Sequence, residues 1–174
     1  MPCDDQPLTR EAIDGFGIAA RVLAGGGSVA LGLYLGGMNN TAYEADWRVS
    51  VFSAVVIVGG VLLIALARRG LRTSRAGRIS GTAAGAVGVL AGMVTPIQET
   101  CCDAVWVVSL GLPLPWTIGH GDTWTQAFQD SWHGTWDPVS AFSNVLFWAY
   151  AGMIVAVVVD LLRRRSDIDR VGAS

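Results

Sequence analysis

Four apolar blocks dominate the chain, and each is about as long as a bilayer is thick. They cover residues 18–38, 49–67, 79–97 and 139–162. A helix rises about 1.5 Å per residue, so about 20 apolar residues cross a hydrocarbon core about 30 Å thick. The second block, 49–67, carries no charge at all. A water-soluble helix keeps a polar face, and these blocks do not. Composition agrees: 52% of residues are hydrophobic and 15% charged, against about 25% charged in soluble domains. The predicted fold class is an all-α integral membrane protein with a single membrane domain. It is read as a four-transmembrane-helix bundle whose longest loop carries a β-hairpin and a short interfacial helix.

The arginines give the bundle a direction. The linker at 68–78 holds Arg68, Arg69, Arg72, Arg75 and Arg78 with no acid, and Arg163, Arg164 and Arg165 follow the fourth block. Residues 98–138 contain no Arg or Lys. Basic residues near span ends stay in the cytoplasm. The expected protein is therefore a multi-pass plasma-membrane protein with both termini cytoplasmic. Its two outer loops are 39–48 and 98–138. The N-terminal piece is acidic, with Asp4, Asp5, Glu11 and Asp14 against Arg10. A cleavable signal wants a positive start, so the first span is expected to be retained. Arg21 can snorkel to the cytoplasmic headgroups.

Small residues indicate how the spans meet. In lipid, helices associate through close backbone approach, because lipid tails are as apolar as Leu. The third span has Gly81, Gly85, Gly88 and Gly92 on one face, and the first has Ala24, Ser28, Gly32 and Gly36. In the fourth, Gly152 and Ala156 are four apart. These ridges suit packing within a bundle or a homodimer surface. No Asp, Glu, Lys or His falls at the predicted middle of a span. Pumps and coupled transporters usually need one there. Asn144 is expected to hydrogen-bond between helices. Pro96 stops the third helix near Thr95. Asp137 and Pro138 suit the N-cap and first turn of the fourth.

The 98–138 loop is too long to be structureless. "AVWVVSLG", 104–111, favours a strand, and "LPLPWTIG" an extended return, which together suggest the hairpin. Thr123 and Gln126 form a T-x-x-Q capping box. Trp124, Phe128 and Trp132 then share one side of a short helix lying in the interface, with Trp136 as a further membrane anchor.

Cys101 and Cys102 are adjacent in this loop. Their Cα atoms are about 3.8 Å apart across a trans peptide, below the ~4.4 Å lower end of usual disulfide spans. They are read as packed thiols, a vicinal or intermolecular disulfide, a redox pair, or metal ligands together with His120 and His133. The spacing is not that of a structural zinc motif. Cys3, on the cytoplasmic side, cannot join them.

In topology alone, four spans with both termini inside and a long second outer loop bearing a flat helix, the chain resembles the quinone-linked thiol oxidases of the bacterial envelope. Those enzymes use a C-x-x-C in the first outer loop and a second cysteine pair in the other. Here "NNTAYEADWR" holds no cysteine and the only pair is vicinal.

A net charge of −2 gives no pull toward nucleic acid, and the glycine-rich first span is not a nucleotide fingerprint. No cofactor is expected. The leading reading is a small non-enzymatic accessory or scaffold subunit whose outer loop, through "GLPLPW", meets a membrane-protein partner or a second copy. The alternative is a thiol-redox or metal-handling protein acting through Cys101 and Cys102. A small oligomeric channel is the third class.

Overall fold

A computed structural model describes residues 7–42, 45–69, 73–101 and 105–172, with side chains over 17–42, 45–68, 73–98 and 105–166. Among the described residues, four helices are long and apolar enough to cross a membrane. They are α1 (Pro7–Thr41), α2 (Trp47–Arg69), α3 (Arg75–Val94) and α5 (Pro138–Gly172). Between α3 and α5 lies a cap made of β1 (Pro96–Cys101), β2 (Val105–Leu110), β3 (Thr117–Gly121) and α4 (Trp124–Ser131). The helices carry exposed Leu23, Leu33, Leu90, Phe142, Leu161 and Leu162. Apolar surface of that extent belongs against lipid, and it makes the chain a multi-pass membrane protein.

The third apolar block does not reach residue 97 as a helix. Thr95 has the extended φ/ψ of −70° and 118°, Pro96 opens β1, and Ile97 is a buried strand residue. At the other end the helix starts earlier, at Arg75, because Ser74 caps it by accepting from the Gly77 amide. Arg75 and Arg78 thus belong to α3 itself.

The helices neighbour one another in the order α1, α2, α5, α3, with the closest packing within the α1/α2 and α3/α5 pairs. Both pairs run antiparallel and meet backbone to backbone. A Cβ on Gly81 would stand 2.5 Å from the Gly152 carbonyl oxygen, and one on Gly88 or Gly92 would strike the Trp148 indole. Gly77, Gly81, Gly85, Gly88 and Gly92 are all buried. In α1 the contact residues are Gly25, Gly32 and Gly36, facing Gly60, Ile57 and Ser53 of α2. Ala24, expected on this ridge, is exposed instead. Steps of four advance about 40° around a helix, so 24, 28, 32 and 36 drift off one line, whereas 25, 32 and 36 keep within about 40°.

α2 and α5 join the two pairs. Phe52, Val56, Phe147 and Tyr150 form the core, with the Phe52 and Phe147 rings stacked at 6.0 Å. Tyr150 lies on Gly59, where any Cβ would collide with its ring. Ser28 Oγ donates to the Ala24 carbonyl at 2.9 Å, which leaves the Tyr150 hydroxyl to donate to Ser28 across 2.5 Å. This buried bond ties α1 to α5. At the α1/α2 turn, the buried Asn39 carboxamide donates to the Asp46 carbonyl and accepts from the Asp46 amide.

Candidate functional site

The cap begins where α3 ends, and the α3 terminus holds it. A helix leaves its last carbonyls without partners, and in an apolar setting each must find a donor. Thr95 Oγ1 donates to the Ala91 carbonyl at 2.7 Å. The Leu112 amide donates to Gly92 at 2.8 Å, and the Gly111 amide to Thr95 at 3.1 Å. Trp116 Nε1 donates to the Met93 carbonyl at 2.8 Å. The loop after β2 therefore caps the helix before β1. Gly111 has φ of 121°, a left-handed conformation that suits Gly, and its missing Cβ leaves room for Trp116. The Leu112–Pro113 peptide is cis.

α5 grips the same loop. Leu114 lies between Pro113 and Pro115, so no strand pairs with it. The Asn144 carboxamide takes both its backbone groups: Oδ1 accepts from the Leu114 amide at 3.0 Å, and Nδ2 donates to its carbonyl at 2.7 Å. Asn144 is fully buried. It bonds loop to helix, not helix to helix as its place in the fourth span suggests. Trp148 Nε1 adds a bond to the Leu112 carbonyl at 3.0 Å. "GLPLPW" is thus a joint: Gly111, Pro113 and Trp116 are buried in it, and Leu112, Leu114 and Pro115 are half-buried.

Where the sequence suggests a hairpin, the structure has a three-stranded antiparallel sheet in the order β1-β2-β3. Pro96 faces Leu110 and Cys101 faces Val105, while Leu110 faces Thr117 and Val107 faces His120. One face of β2 buries Val108 and Leu110. α4 lies against β3, and glycines let it: a Cβ at Gly119 or Gly121 would meet the α4 backbone at Ala127. Thr117 Oγ1 donates to the Ser131 carbonyl at 2.6 Å. The opposite face of the sheet exposes Val105, Ile118 and His120.

Thr123 caps α4 by accepting from the Gln126 amide at 3.3 Å. Only that half of the box forms among the described residues; the Gln126 side chain lines a cleft instead. The cleft, about 760 Å³ and open, runs between β3 and the end of α4, lined by His120, Asp122, Gln126, Gln129, Asp130, Trp132 and His133. Asp130 organises it, accepting from the His120 amide at 3.0 Å on its side chain and from the His133 amide at 2.9 Å on its carbonyl. The two histidines, thirteen positions apart (120 and 133), both line the cleft. Among the described residues no three His, Cys, Asp or Glu side chains form a metal-sized group. Cys101 ends β1 and its side chain is not described; Cys102 and Cys3 lie outside the described residues.

Trp124, Phe128 and Trp132 form a ring-to-ring row, the first pair stacked at 5.1 Å and the second edge-on at 6.2 Å. Trp136 is exposed and packs edge-on against Trp116 at 5.2 Å. The Asp137 amide donates to the Trp116 carbonyl at 2.8 Å, returning the chain to α5. Asp137 caps α5 through Val139 and Ser140; the Ser140 hydroxyl and amide hold its carboxyl below the usual carboxylate range.

Sequence reasoning missed Gly25, Gly59, Gly77, Trp148 and Asp130. Trp148 had a signal, because a Trp inside an apolar span must find an acceptor for its N–H; so did the packing roles of Gly119 and Gly121, also missed, since alternate glycines in "TIGHG" announce a close backbone neighbour. No family model, curated protein or solved structure matches this chain.

Proposed function

We propose that the chain is a non-enzymatic accessory or scaffold protein of the plasma membrane. Its cap stands outside, both termini face the cytoplasm, and Trp124, Phe128, Trp132 and Trp136 sit at headgroup level. The observation that carries this is the joint. Every hydrogen bond from "GLPLPW" to α3 and α5 fixes the cap as a rigid extension of the spans. A preorganised surface on a membrane anchor suits recognition, since little conformational entropy is lost on binding. The partner side is the open sheet face around Val105 and Ile118, because the joint itself is internal.

A photo-crosslinking residue at Ile118 in intact membranes should give a discrete adduct, and one at Pro113 none. A chain that runs alone and monomeric in mild detergent, with no adduct from any cap position, refutes the reading.

Metal handling is the second reading, favoured by His120 and His133 sharing the cleft. It requires stoichiometric zinc or copper in the natively purified protein, lost with His120→Ala or His133→Ala.

A further inference from the structure

At the arginine end of the helices, α2 and α3 stand apart above α5. The gap is a groove of about 590 Å³ with an almost wholly apolar lining, from Leu66 through Gly85 and Val89 to Gly152. Arg78 and Thr73 stand at its mouth. A second hollow of about 670 Å³ adjoins it, sharing Arg78, Thr82 and Ala86 and adding Arg75. We propose that this groove holds an acyl chain of one anionic phospholipid, whose phosphate sits between Arg75 and Arg78.

Length, charge and symmetry converge on that occupant. From Arg78 to Val89 the helix rises about 16 Å, close to the ~15 Å of one leaflet's hydrocarbon. A ligand filling it is therefore an amphiphile with one charged end and an alkyl body one leaflet long. Among the described residues neither the Arg75 nor the Arg78 guanidinium has a hydrogen bond or ion pair. The carboxylate on the α5 side of this end, Asp160, is already engaged. It accepts from the Ser74 amide and hydroxyl and lies in the field of Arg163 and Arg164. The net local charge is positive, and basic pockets between spans take anionic headgroups. A second copy related by a two-fold axis along the membrane normal would bring arginine against arginine, so self-association is the poorer fit.

The site rests on the helices spanning a bilayer; alkaline carbonate washing of membranes tests that point separately, since a chain that washes off fails the spanning reading before the lipid site arises. The lipid itself is tested by native mass spectrometry of the full chain in mild detergent, titrated with dioleoyl phosphatidylglycerol and with dioleoyl phosphatidylcholine. One phosphatidylglycerol should bind per chain, in preference to phosphatidylcholine. Each of Arg75→Gln and Arg78→Gln should weaken it by about fivefold. Ala86→Phe, at an exposed position, should fill the groove and displace the lipid with both arginines intact. Equal binding of the two lipids overturns the proposal. So does unchanged phosphatidylglycerol binding in Ala86→Phe, which would leave only a general attraction of arginines to headgroups. A lipid-free dimer that Ala86→Phe dissociates overturns it in favour of a second copy.

Discussion

Replacing Asn144 with Leu should loosen the cap while leaving the helices in place. The carboxamide is fully buried and satisfies both backbone groups of Leu114, at 3.0 and 2.7 Å. Leu has the same four side-chain heavy atoms, branched at the same carbon, but offers neither donor nor acceptor, so an amide and a carbonyl lose their partners. Each such buried group costs about 1–3 kcal/mol. Leu114 is half-buried, so water recovers part of this, and the added apolar surface offsets about 1 kcal/mol more. The net loss is about 2 kcal/mol, or about thirtyfold in the opening equilibrium of the joint. Hydrogen exchange followed by mass spectrometry in detergent reads it directly. Peptides over 111–117 should exchange about thirtyfold faster in Asn144→Leu, and those over α2 at the same rate as before. If 111–117 keeps its protection while the helices lose theirs, Asn144 stabilises helix packing and the joint is misassigned.

Three further outcomes follow from the same geometry. Gly152→Leu puts a Cβ 2.5 Å from the Gly81 carbonyl oxygen and 3.0 Å from the Gly85 Cα, so α3 must part from α5. A loss of about 1–3 kcal/mol or more should appear as a lower thermal midpoint in detergent, whereas Gly26→Ala, where nothing lies within 4 Å, should not lower it so far. Trp148→Phe strands the Leu112 carbonyl and should cost about 1–3 kcal/mol, seen as faster proteolysis of the cap. Asp137 is held below its ordinary value of 3.8 by Ser140, so its cap acts in full above the usual carboxylate range and is lost as pH falls through the lowered value. Asp137→Ala should therefore weaken amide protection in the first turn of α5 at pH 7, and the deficit should vanish in strong acid.

The helices were readable from the sequence because a bilayer imposes length and polarity on every span, whatever the tertiary contacts. The α3 ridge was readable because Gly81, Gly85, Gly88 and Gly92 keep a spacing that stays on one face. The α1 ridge runs through Gly25 and not Ala24, because equal steps of four look regular in sequence yet rotate about the helix. β1 was hidden. "PIQETC" is short, begins with Pro and has little apolar alternation; it becomes a strand by pairing with β2, a tertiary effect that overrides local propensity. Asn144 stands out as a polar residue in an apolar span, but its partner stands thirty residues away (114 and 144) and no local pattern connects them. The same holds for the cleft: His120 and His133 read as separate loop residues until β3 and α4 fold back on each other.

The central claim is that the arginine-rich ends of the helices face the cytoplasm and the cap faces out. It is tested most directly with single cysteines at exposed positions, Thr125→Cys on α4 and Ser166→Cys near the end of α5, in a background where Cys3, Cys101 and Cys102 are Ser. On intact cells a membrane-impermeant maleimide should modify Thr125→Cys and reach Ser166→Cys only after lysis. Labelling of Ser166→Cys on intact cells, with Thr125→Cys protected, would contradict the account.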